Sequence, residues 1–318
     1  MVRLLLSMVM WFFATASVQA EPGFGHWLLE LKAEARSQGI SDVLLEQAFQ
    51  DVQPLDRVLE LDRKQPESIM TFMEYQEKIV SADRVRQGRQ LLAEHRGILE
   101  KVAEKYGVPA RYLVALWGIE THYGALTGNF RVVEALATLA YDGRRSDFFR
   151  QELLKALHIL KEGHISVADM KGSWAGAMGQ CQFMPSSFLR FAVDETGDGR
   201  KDIWTTKADV FGSAANYLAQ SGWRPNERWG RRVTLPAGFD TSQASLSRTK
   251  PLKQWHEMGV RNSDGSVLPN SQMDGAIVMP DGKDGPAYLV YENYRVILKW
   301  NRSTYFATSV GLLADALL

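Results

Sequence analysis

Cysteine and net charge are both scarce in this sequence, and each absence excludes a class of protein. One cysteine, Cys181, occurs in 318 residues, so the fold has no internal disulfide and depends on its buried core. Lysine plus arginine and aspartate plus glutamate both number 37. The basic surplus that phosphate binding requires is therefore missing, and nucleic acid is not an expected partner. The composition, 45% hydrophobic and 23% charged, is typical of a globular protein with a sizeable core.

Long hydrophobic runs are also few, and the clearest one lies at the N-terminus. Arg3 precedes an apolar stretch over residues 4–13, and small residues follow up to Ala20. This order is typical of a secretory signal peptide, and the apolar stretch is short for a membrane span. We therefore predict a signal peptide over residues 1–20 and a periplasmic protein that is soluble after cleavage. No cysteine near the cleavage site could carry a lipid anchor.

Residues 26–222 indicate a series of helices separated by glycine, proline and capping residues. Ser41 is a predicted N-cap, and Gly107 ends a long amphipathic stretch that begins at Ser81. Pro109 opens the next helix in its first turn. Further helices are predicted over residues 131–140, 147–160, 185–192 and 208–221. A glycine-rich structured loop is predicted over residues 163–186.

The composition changes at about residue 224, and proline, glycine, serine, asparagine and aspartate are frequent up to residue 292. Three short runs rich in β-formers lie in this part, at residues 232–235, 276–279 and 287–291. The last two flank a good hairpin loop over residues 280–285. A helix is predicted again over residues 303–317. The expected fold class is α+β, mostly α, with a small β-containing insertion in a helical body.

Glu120 is a single carboxylate near the end of a strongly apolar helix. Leu113, Leu116 and Trp117 lie seven, four and three positions before it and share its helix face. Burial against Trp117 disfavours the ionised form, as does the helix dipole in the last turn, so the pKa of Glu120 is expected to rise. A carboxyl that keeps its proton in an apolar cleft is the environment of a glycosidase general acid. The helix alone leaves open a surface glutamate paired with a lysine or arginine.

Residues 172–187 form a second informative segment, rich in glycine and in polar side chains. Glycine lets the backbone approach a ligand closely. Hydroxyl and amide groups suit the hydroxyl and acetamido groups of sugars, and Ser173, Gln180 and Gln182 supply them. A tight structural loop without ligand contacts is the alternative.

Three motifs together resemble the B-type lytic murein transglycosylases, namely Gly118–Gly124, Gly176–Ser187 and Asn301–Thr304. The resemblance extends over residues 25–317. It implies a lysozyme-like helical core and cleavage of the β-1,4 bond between N-acetylmuramic acid and N-acetylglucosamine in peptidoglycan. It also implies that no water is consumed. Glu120 protonates the leaving oxygen and then acts as base on the muramoyl C6 hydroxyl, which closes a 1,6-anhydro ring. No cofactor is implied for this chemistry.

The resemblance further implies a division of the mature chain into four parts. A helical region over residues 21–108 packs with a helix and a small β-containing region over residues 207–292. A lysozyme-like catalytic core occupies residues 109–206, and residues 293–318 return to it.

Seven positions match those that bind substrate in the family: Ser173, Gln182, Tyr75, Tyr217, Trp300, Asn301 and Phe306. Trp300 and Phe306 stand where some members have tyrosine. Stacking on sugar faces is kept at these two positions, whereas hydroxyl contacts are lost. Cys181 is interpreted as a packing residue, because the sequence shows no histidine–cysteine constellation.

Residues 194–202 resemble the start of an EF-hand calcium loop. The candidate ligands, including a later aspartate that the resemblance implies, are Asp194, Thr196, Asp198, Arg200 and Asp209. Gly199 at position six suits the sharp turn, whereas Thr205 occupies position twelve, where the motif has a bidentate glutamate. We interpret the loop as a structural Ca²⁺ site outside the chemistry. A Gly/Asp-rich turn that caps helices is the alternative.

Two other functions stay open at this point: a non-catalytic peptidoglycan-binding protein that keeps the cleft, and a hydrolytic muramidase with the same substrate. The presence of Glu120 argues against the first, since a degenerate copy would more often lose that residue. The expected partners are peptidoglycan glycan strands and a cell-wall synthesis or division complex. The protein is expected to be a monomer.

Overall fold

The computed structural model describes residues 23–64 and 70–318, and the predicted signal peptide lies outside them. The described residues are mostly helical, which confirms the predicted fold class. Fourteen α-helices occur among them: α1 Phe24–Ser37, α2 Asp42–Ala48, α3 Asp56–Arg63, α4 Phe72–Ile79, α5 Ala82–Glu94, α6 Arg96–Tyr106, α7 Ala110–Thr121, α8 Val132–Tyr141, α9 Ser146–Lys161, α10 Pro185–Phe191, α11 Lys207–Gln220, α12 Leu252–Glu257, α13 Glu292–Trp300 and α14 Thr304–Ala316.

Local capping explains where several helices begin and end. The Ser41 side chain accepts a hydrogen bond from the backbone N–H of Leu44, as predicted for the N-cap of α2. Gly107 ends α6 with a left-handed φ of 70°. The long stretch predicted over residues 81–106 is two helices, α5 and α6, because His95 leaves helical geometry with φ −95° and ψ 14°. The ring of His95 lies 5.8 Å from that of Trp117, so the residue at the break packs against α7.

Two antiparallel sheets lie within the described residues. A short pair joins β1 (Phe130–Arg131) to β2 (Lys171–Gly172). The larger sheet has the strand order β4-β6-β7-β3-β5, and its strands are β3 Gly230–Thr234, β4 Lys250–Pro251, β5 Arg261–Asn262, β6 Asp274–Val278 and β7 Ala287–Val290. The predicted hairpin is confirmed, since β6 and β7 pair with Ile277 opposite Leu289.

The main hydrophobic core connects distant parts of the chain around α7. Helix α14 packs on α7, α6 packs on α11, and α8 packs on α9. A smaller core, which includes Trp255 and Leu289, lies on one face of the five-stranded sheet. Asp281 of the β6–β7 loop accepts bonds from the backbone N–H groups of Phe72 at 2.5 Å and Met73 at 3.1 Å, so the sheet region caps α4.

No helix among residues 23–64 and 70–318 has the length and apolar composition that crossing a bilayer requires.

Candidate active site

Glu120 lies in the last turn of α7, on the face that the sequence predicted. Leu113, Leu116 and Trp117 line the same small apolar cavity as the carboxyl group. Trp300, at the end of α13, completes this cavity, and its indole Nε1 donates a hydrogen bond to Glu120 Oε1 at 2.7 Å. The carboxyl therefore lies between apolar walls, with an aromatic N–H as its polar contact among the described residues.

Burial raises the pKa of Glu120 from an ordinary value of 4.5 to about 7, and the hydrogen bond from Trp300 opposes this rise. Desolvation disfavours the carboxylate, whereas an N–H donor favours it, so the pKa of about 7 shows that desolvation dominates. A carboxyl with this pKa exchanges its proton near neutral pH.

The chain turns sharply directly after Glu120. His122, Tyr123 and Gly124 have consecutive positive φ values of 49°, 58° and 86°. A left-handed non-glycine residue costs about 1–3 kcal/mol, so two such residues in a row require strong tertiary support. Part of this support is the Thr121 hydroxyl, which accepts a bond from Gly124 N at 3.0 Å. A Cβ at position 124 would collide with Gln180, so only glycine fits there.

Gln180 fastens the glycine-rich loop to α7. Its Oε1 accepts bonds from Trp117 Nε1 at 2.8 Å and Lys207 Nζ at 3.1 Å, and its Nε2 donates to the carbonyl oxygen of Trp204 at 2.6 Å. The residue is 4% exposed. The sequence suggested Gln180 as a sugar contact, but its amide is committed to the fold and holds the loop against the helix that carries Glu120.

Ser173 and Gln182 keep free capacity for a ligand. The Ser173 oxygen accepts bonds from the backbone N–H groups of Ala175 and Ala177, at 3.3 and 3.0 Å, which leaves its hydrogen to donate. Gln182 Nε2 donates to the carbonyl oxygens of Thr127 and Gly179, at 3.1 and 3.0 Å. Its Oε1 has no hydrogen bond within the described residues.

Trp300 is held by a cluster of aromatic rings. Its ring centroid lies 4.7 Å from that of Tyr217 and 5.2 Å from that of Phe183. Tyr217 is 9% exposed, and its hydroxyl donates to the carbonyl oxygen of Lys299 at 2.6 Å. Tyr217 was predicted to bind substrate. The structure buries Tyr217 against Trp300, where its ring supports the indole.

Comparisons with known proteins agree with this geometry. Residues 23–315 match the family model of the transglycosylase SLT domain. The chain belongs to the B-type lytic transglycosylases. It is 30% identical to the membrane-bound lytic murein transglycosylase B of Escherichia coli (strain K12) over 86% of this chain and 77% of that protein.

Two solved structures are also similar to this transglycosylase. SltB3 from Pseudomonas aeruginosa, in complex with NAG-anhNAM-pentapeptide, has a TM-score of 0.90 at 46% identity, covering 92% of this chain and 79% of that one. The Escherichia coli lytic transglycosylase Slt35, in complex with calcium, has a TM-score of 0.79 at 27% identity, covering 94% of this chain and 93% of that one.

Two further predicted site residues of this transglycosylase, Asn301 and Phe306, lie around the start of α14, and a third, Tyr75 on α4, packs against Tyr305 of that helix. Asn301 Oδ1 accepts a bond from Ser303 N at 3.0 Å and so helps to begin that helix. Phe306 is 4% exposed, and its ring lies in the core instead of on the cleft surface as predicted. The neighbouring Tyr305 is the partly exposed aromatic residue, with its ring 5.7 Å from that of Tyr75 and its hydroxyl 3.2 Å from Asp281 Oδ1. Tyr305 was not predicted as a site residue. It is adjacent to Phe306 in the sequence, and the sequence does not show which of these two rings the helix buries.

The environment of Cys181 in the structure is that of a packing residue. It is 3% exposed, and its thiol donates to the carbonyl oxygen of Val210 at 3.3 Å. Burial raises the pKa of this thiol, and the nearby Glu120 carboxylate adds to the rise, so the thiolate is strongly disfavoured.

The loop over residues 194–202 has the oxygen donors of a calcium site, but its carboxylates are engaged in the fold. Asp194 Oδ1 and Oδ2 accept bonds from Gly197 N and Gly199 N, both at 2.7 Å. Asp209 bridges the backbone N–H groups of Glu195 and Asp202, both at 2.8 Å. Within the described residues, no three histidine, cysteine or acidic side chains converge on one point suited to a metal ion.

Burial raises the pKa of Asp209, and the carboxylates of Asp194 and Asp198 add to this rise. The carboxylates of Asp194 and Asp198 therefore lie close enough to that of Asp209 to disfavour its charge. Carboxylate and hydroxyl oxygens are hard donors and fit a hard cation in donor type. Thr205, at position twelve, donates its hydroxyl to Asp202 and supplies no carboxylate.

Proposed function

We propose that this enzyme cleaves the β-1,4 bond between N-acetylmuramic acid and N-acetylglucosamine in peptidoglycan without hydrolysis and leaves 1,6-anhydromuramoyl ends. The observation that supports this most is the single carboxyl group of the site. Glu120 is the only acidic residue among the described side chains that line its cavity, and its pKa is about 7. A hydrolytic glycosidase uses two carboxyl groups, one of which activates water or attacks the sugar.

One carboxyl group suffices when the substrate supplies its own nucleophile. Protonated Glu120 donates its proton to the glycosidic oxygen as the bond to the anomeric carbon breaks. The resulting carboxylate then takes the proton of the muramoyl C6 hydroxyl while that oxygen bonds to the anomeric carbon. The enzyme returns to its protonated state at the end of the turnover. A pKa of about 7 suits both roles, because a group near neutrality gives up and regains a proton at similar cost.

We also propose that Ser173, Gln182, Tyr75, Trp300 and Asn301 bind the glycan strand. The free donor of Ser173 and the free Oε1 of Gln182 support this role for the glycine-rich loop. The neighbouring ring of Tyr305 extends the aromatic surface that begins at Tyr75. Tyr75, Trp300 and Tyr305 are partly exposed, and aromatic rings suit the apolar faces of sugars.

The alternatives are separated by the products. We expect purified enzyme to release muropeptides from sacculi with a mass one water lower than that of reducing-end muropeptides. Mass spectrometry of the digest measures this difference directly. Reducing-end products would instead identify a hydrolytic muramidase. Binding to sacculi without any release would identify a non-catalytic binding protein.

We infer export to the periplasm from the signal peptide over residues 1–20, and a monomer that acts on glycan strands within a cell-wall synthesis or division complex. The packing of α6 on α11 supports the proposed association of residues 21–108 with residues 207–292, and that of α14 on α7 supports the return of residues 293–318 to the core over residues 109–206. The family likeness to SltB3, which was solved with NAG-anhNAM-pentapeptide, supports the anhydro product.

We propose that residues 194–209 bind one structural calcium ion, with no role in the chemistry. The ligands would be Asp194, Thr196, Asp198, Arg200 and Asp209, with Arg200 using its backbone carbonyl oxygen. The likeness to Slt35, which was solved in complex with calcium, supports a calcium site. A bound ion would offset the repulsion that the carboxylates of Asp194 and Asp198 exert on that of Asp209.

Calcium is therefore expected to stabilise the folded protein. A ligand at about 100 times its dissociation constant adds about 2.7 kcal/mol, which corresponds to a rise of a few degrees in Tm. Melting curves in millimolar calcium and in excess chelator measure the rise. Asp198→Asn keeps the bond to Arg200 N but removes a charge, so it should reduce the rise. Equal Tm values in calcium and chelator would show that the loop binds no calcium.

A further inference from the structure

The structure distinguishes the two oxygens of Glu120. Oε1 accepts the indole N–H of Trp300 at 2.7 Å. Within the described residues, Oε2 has no hydrogen bond. The two oxygens are chemically equivalent in an isolated carboxylate, and in this site the hydrogen bond from Trp300 distinguishes them.

The indole is fixed in the orientation that makes this bond. Tyr217 and Phe183 hold the ring at centroid distances of 4.7 and 5.2 Å. The Tyr217 hydroxyl is anchored 2.6 Å from the carbonyl oxygen of Lys299, the residue before Trp300. The indole therefore cannot turn to another acceptor without disturbing the end of α13.

An indole N–H donates and never accepts. In a carboxylic acid the carbonyl oxygen is a better acceptor than the hydroxyl oxygen, because the hydroxyl oxygen has lost electron density to its proton. The oxygen that faces an obligatory donor is consequently the one without the proton. A hydrogen bond donated to a carboxylate is also stronger than the same bond donated to the neutral acid.

We propose that Trp300 is a positioning residue that binds Oε1 of Glu120 and so assigns the catalytic proton to Oε2. This rests on the function proposed above for Glu120. In the first half of the turnover the proton leaves Oε2 for the glycosidic oxygen, which also takes the electron pair of the breaking C–O bond. In the second half Oε2 takes the proton of the C6 hydroxyl as its oxygen bonds to the anomeric carbon. Oε1 stays bound to Trp300 throughout, so one oxygen serves as both acid and base.

The other titratable and charged groups around Glu120 do not provide an equivalent bond. Cys181 lines the same cavity, and its thiol donates to the carbonyl oxygen of Val210. Lys207 on α11 bonds to Gln180 Oε1 at 3.1 Å. The Nδ1 of His122 lies 3.4 Å from Arg84 Nη2 on α5. Without the indole N–H, none of these groups donates a hydrogen bond that would stabilise the Glu120 carboxylate against desolvation.

Trp300→Phe tests the proposal, because it keeps an aromatic ring and removes the donor. We expect the titration midpoint of Glu120 to rise by about one pH unit. The alkaline limb of kcat/KM should move upward by the same amount. The midpoint is read from ¹³C NMR of protein labelled at the glutamate carboxyl carbon, with the Glu120 signal assigned by its loss in Glu120→Gln. Trp204→Phe is the matched control, since its indole bonds to the carbonyl oxygen of Lys171 and should leave the midpoint unchanged.

A second readout uses the unsubstituted protein, in case Trp300→Phe does not fold. One indole ¹H–¹⁵N signal should titrate with the Glu120 midpoint and lose this titration in Glu120→Gln. An unchanged or lowered midpoint in Trp300→Phe, or the absence of such an indole signal, would overturn the proposal. Both titrations are recorded without substrate. A failure of the transglycosylase function would appear separately, as the absence of anhydro products from the unsubstituted enzyme.

Discussion

Replacing Glu120 with glutamine is expected to lower the rate of anhydromuropeptide release by about 10³- to 10⁴-fold. The amide has nearly the shape of the protonated carboxyl, and its oxygen still accepts the Trp300 N–H, but it neither donates an acidic proton nor acts as a base. Glu120 serves in both halves of the proposed turnover. The described residues that line its cavity include no other acidic side chain that could replace it.

The measurement is the initial rate of muropeptide release from sacculi, together with a pulldown of the protein by sacculi. Binding should survive, because the sugar contacts lie on other side chains. Glu100→Gln is the matched control, since Glu100 pairs with Arg96 on the exposed face of α6. A Glu120→Gln variant that retains a tenth or more of the rate would remove Glu120 from the role of acid.

The same substitution is expected to stabilise the folded protein above neutral pH. Folding raises the pKa of Glu120 from 4.5 to about 7, so between these values the folded state holds a proton that the unfolded state has released. Stability therefore falls as pH rises through this window, and the loss is complete above the folded pKa. A shift of this size corresponds to about 3 kcal/mol. Glutamine carries no charge to desolvate and escapes the loss.

Unfolding of the two proteins, followed from pH 4 to pH 8, measures the difference. Near pH 4 both side chains are neutral and the two stabilities should agree. The variant should gain with pH and reach its full advantage of about 3 kcal/mol above pH 7. A stability difference that stays constant across this range would mean that Glu120 is not desolvated in the folded protein. Loss of activity with gain of stability would show that burial of the catalytic carboxyl lowers the stability of the fold.

Several features could be predicted because they depend on neighbouring residues. The N-cap at Ser41, the glycine stop at Gly107 and the β6–β7 hairpin each depend on a few consecutive residues. The apolar face around Glu120 follows from helical periodicity, so its raised pKa could also be expected.

Features that depend on helix rotation or on distant contacts could not be predicted with the same success. Phe306 and Tyr305 differ by one position on α14, and only the packing of that helix decides which ring is buried. Gln180 suggested a sugar contact, but its amide is buried and bonded at both ends by groups far away in the chain. Helical periodicity does not show which hydrogen-bond partner each side chain contacts in the folded protein.

The sequence alone determined the helical character, the family resemblance and the identity of the carboxyl group, because each is encoded in residues close together in the chain. Only the tertiary structure decided the environment of that carboxyl. Glu120 and Trp300 are 180 positions apart, and folding brings the indole N–H to 2.7 Å from Oε1. The desolvation that raises the pKa and the donor that opposes it come from different elements, so their balance exists only in the packed molecule.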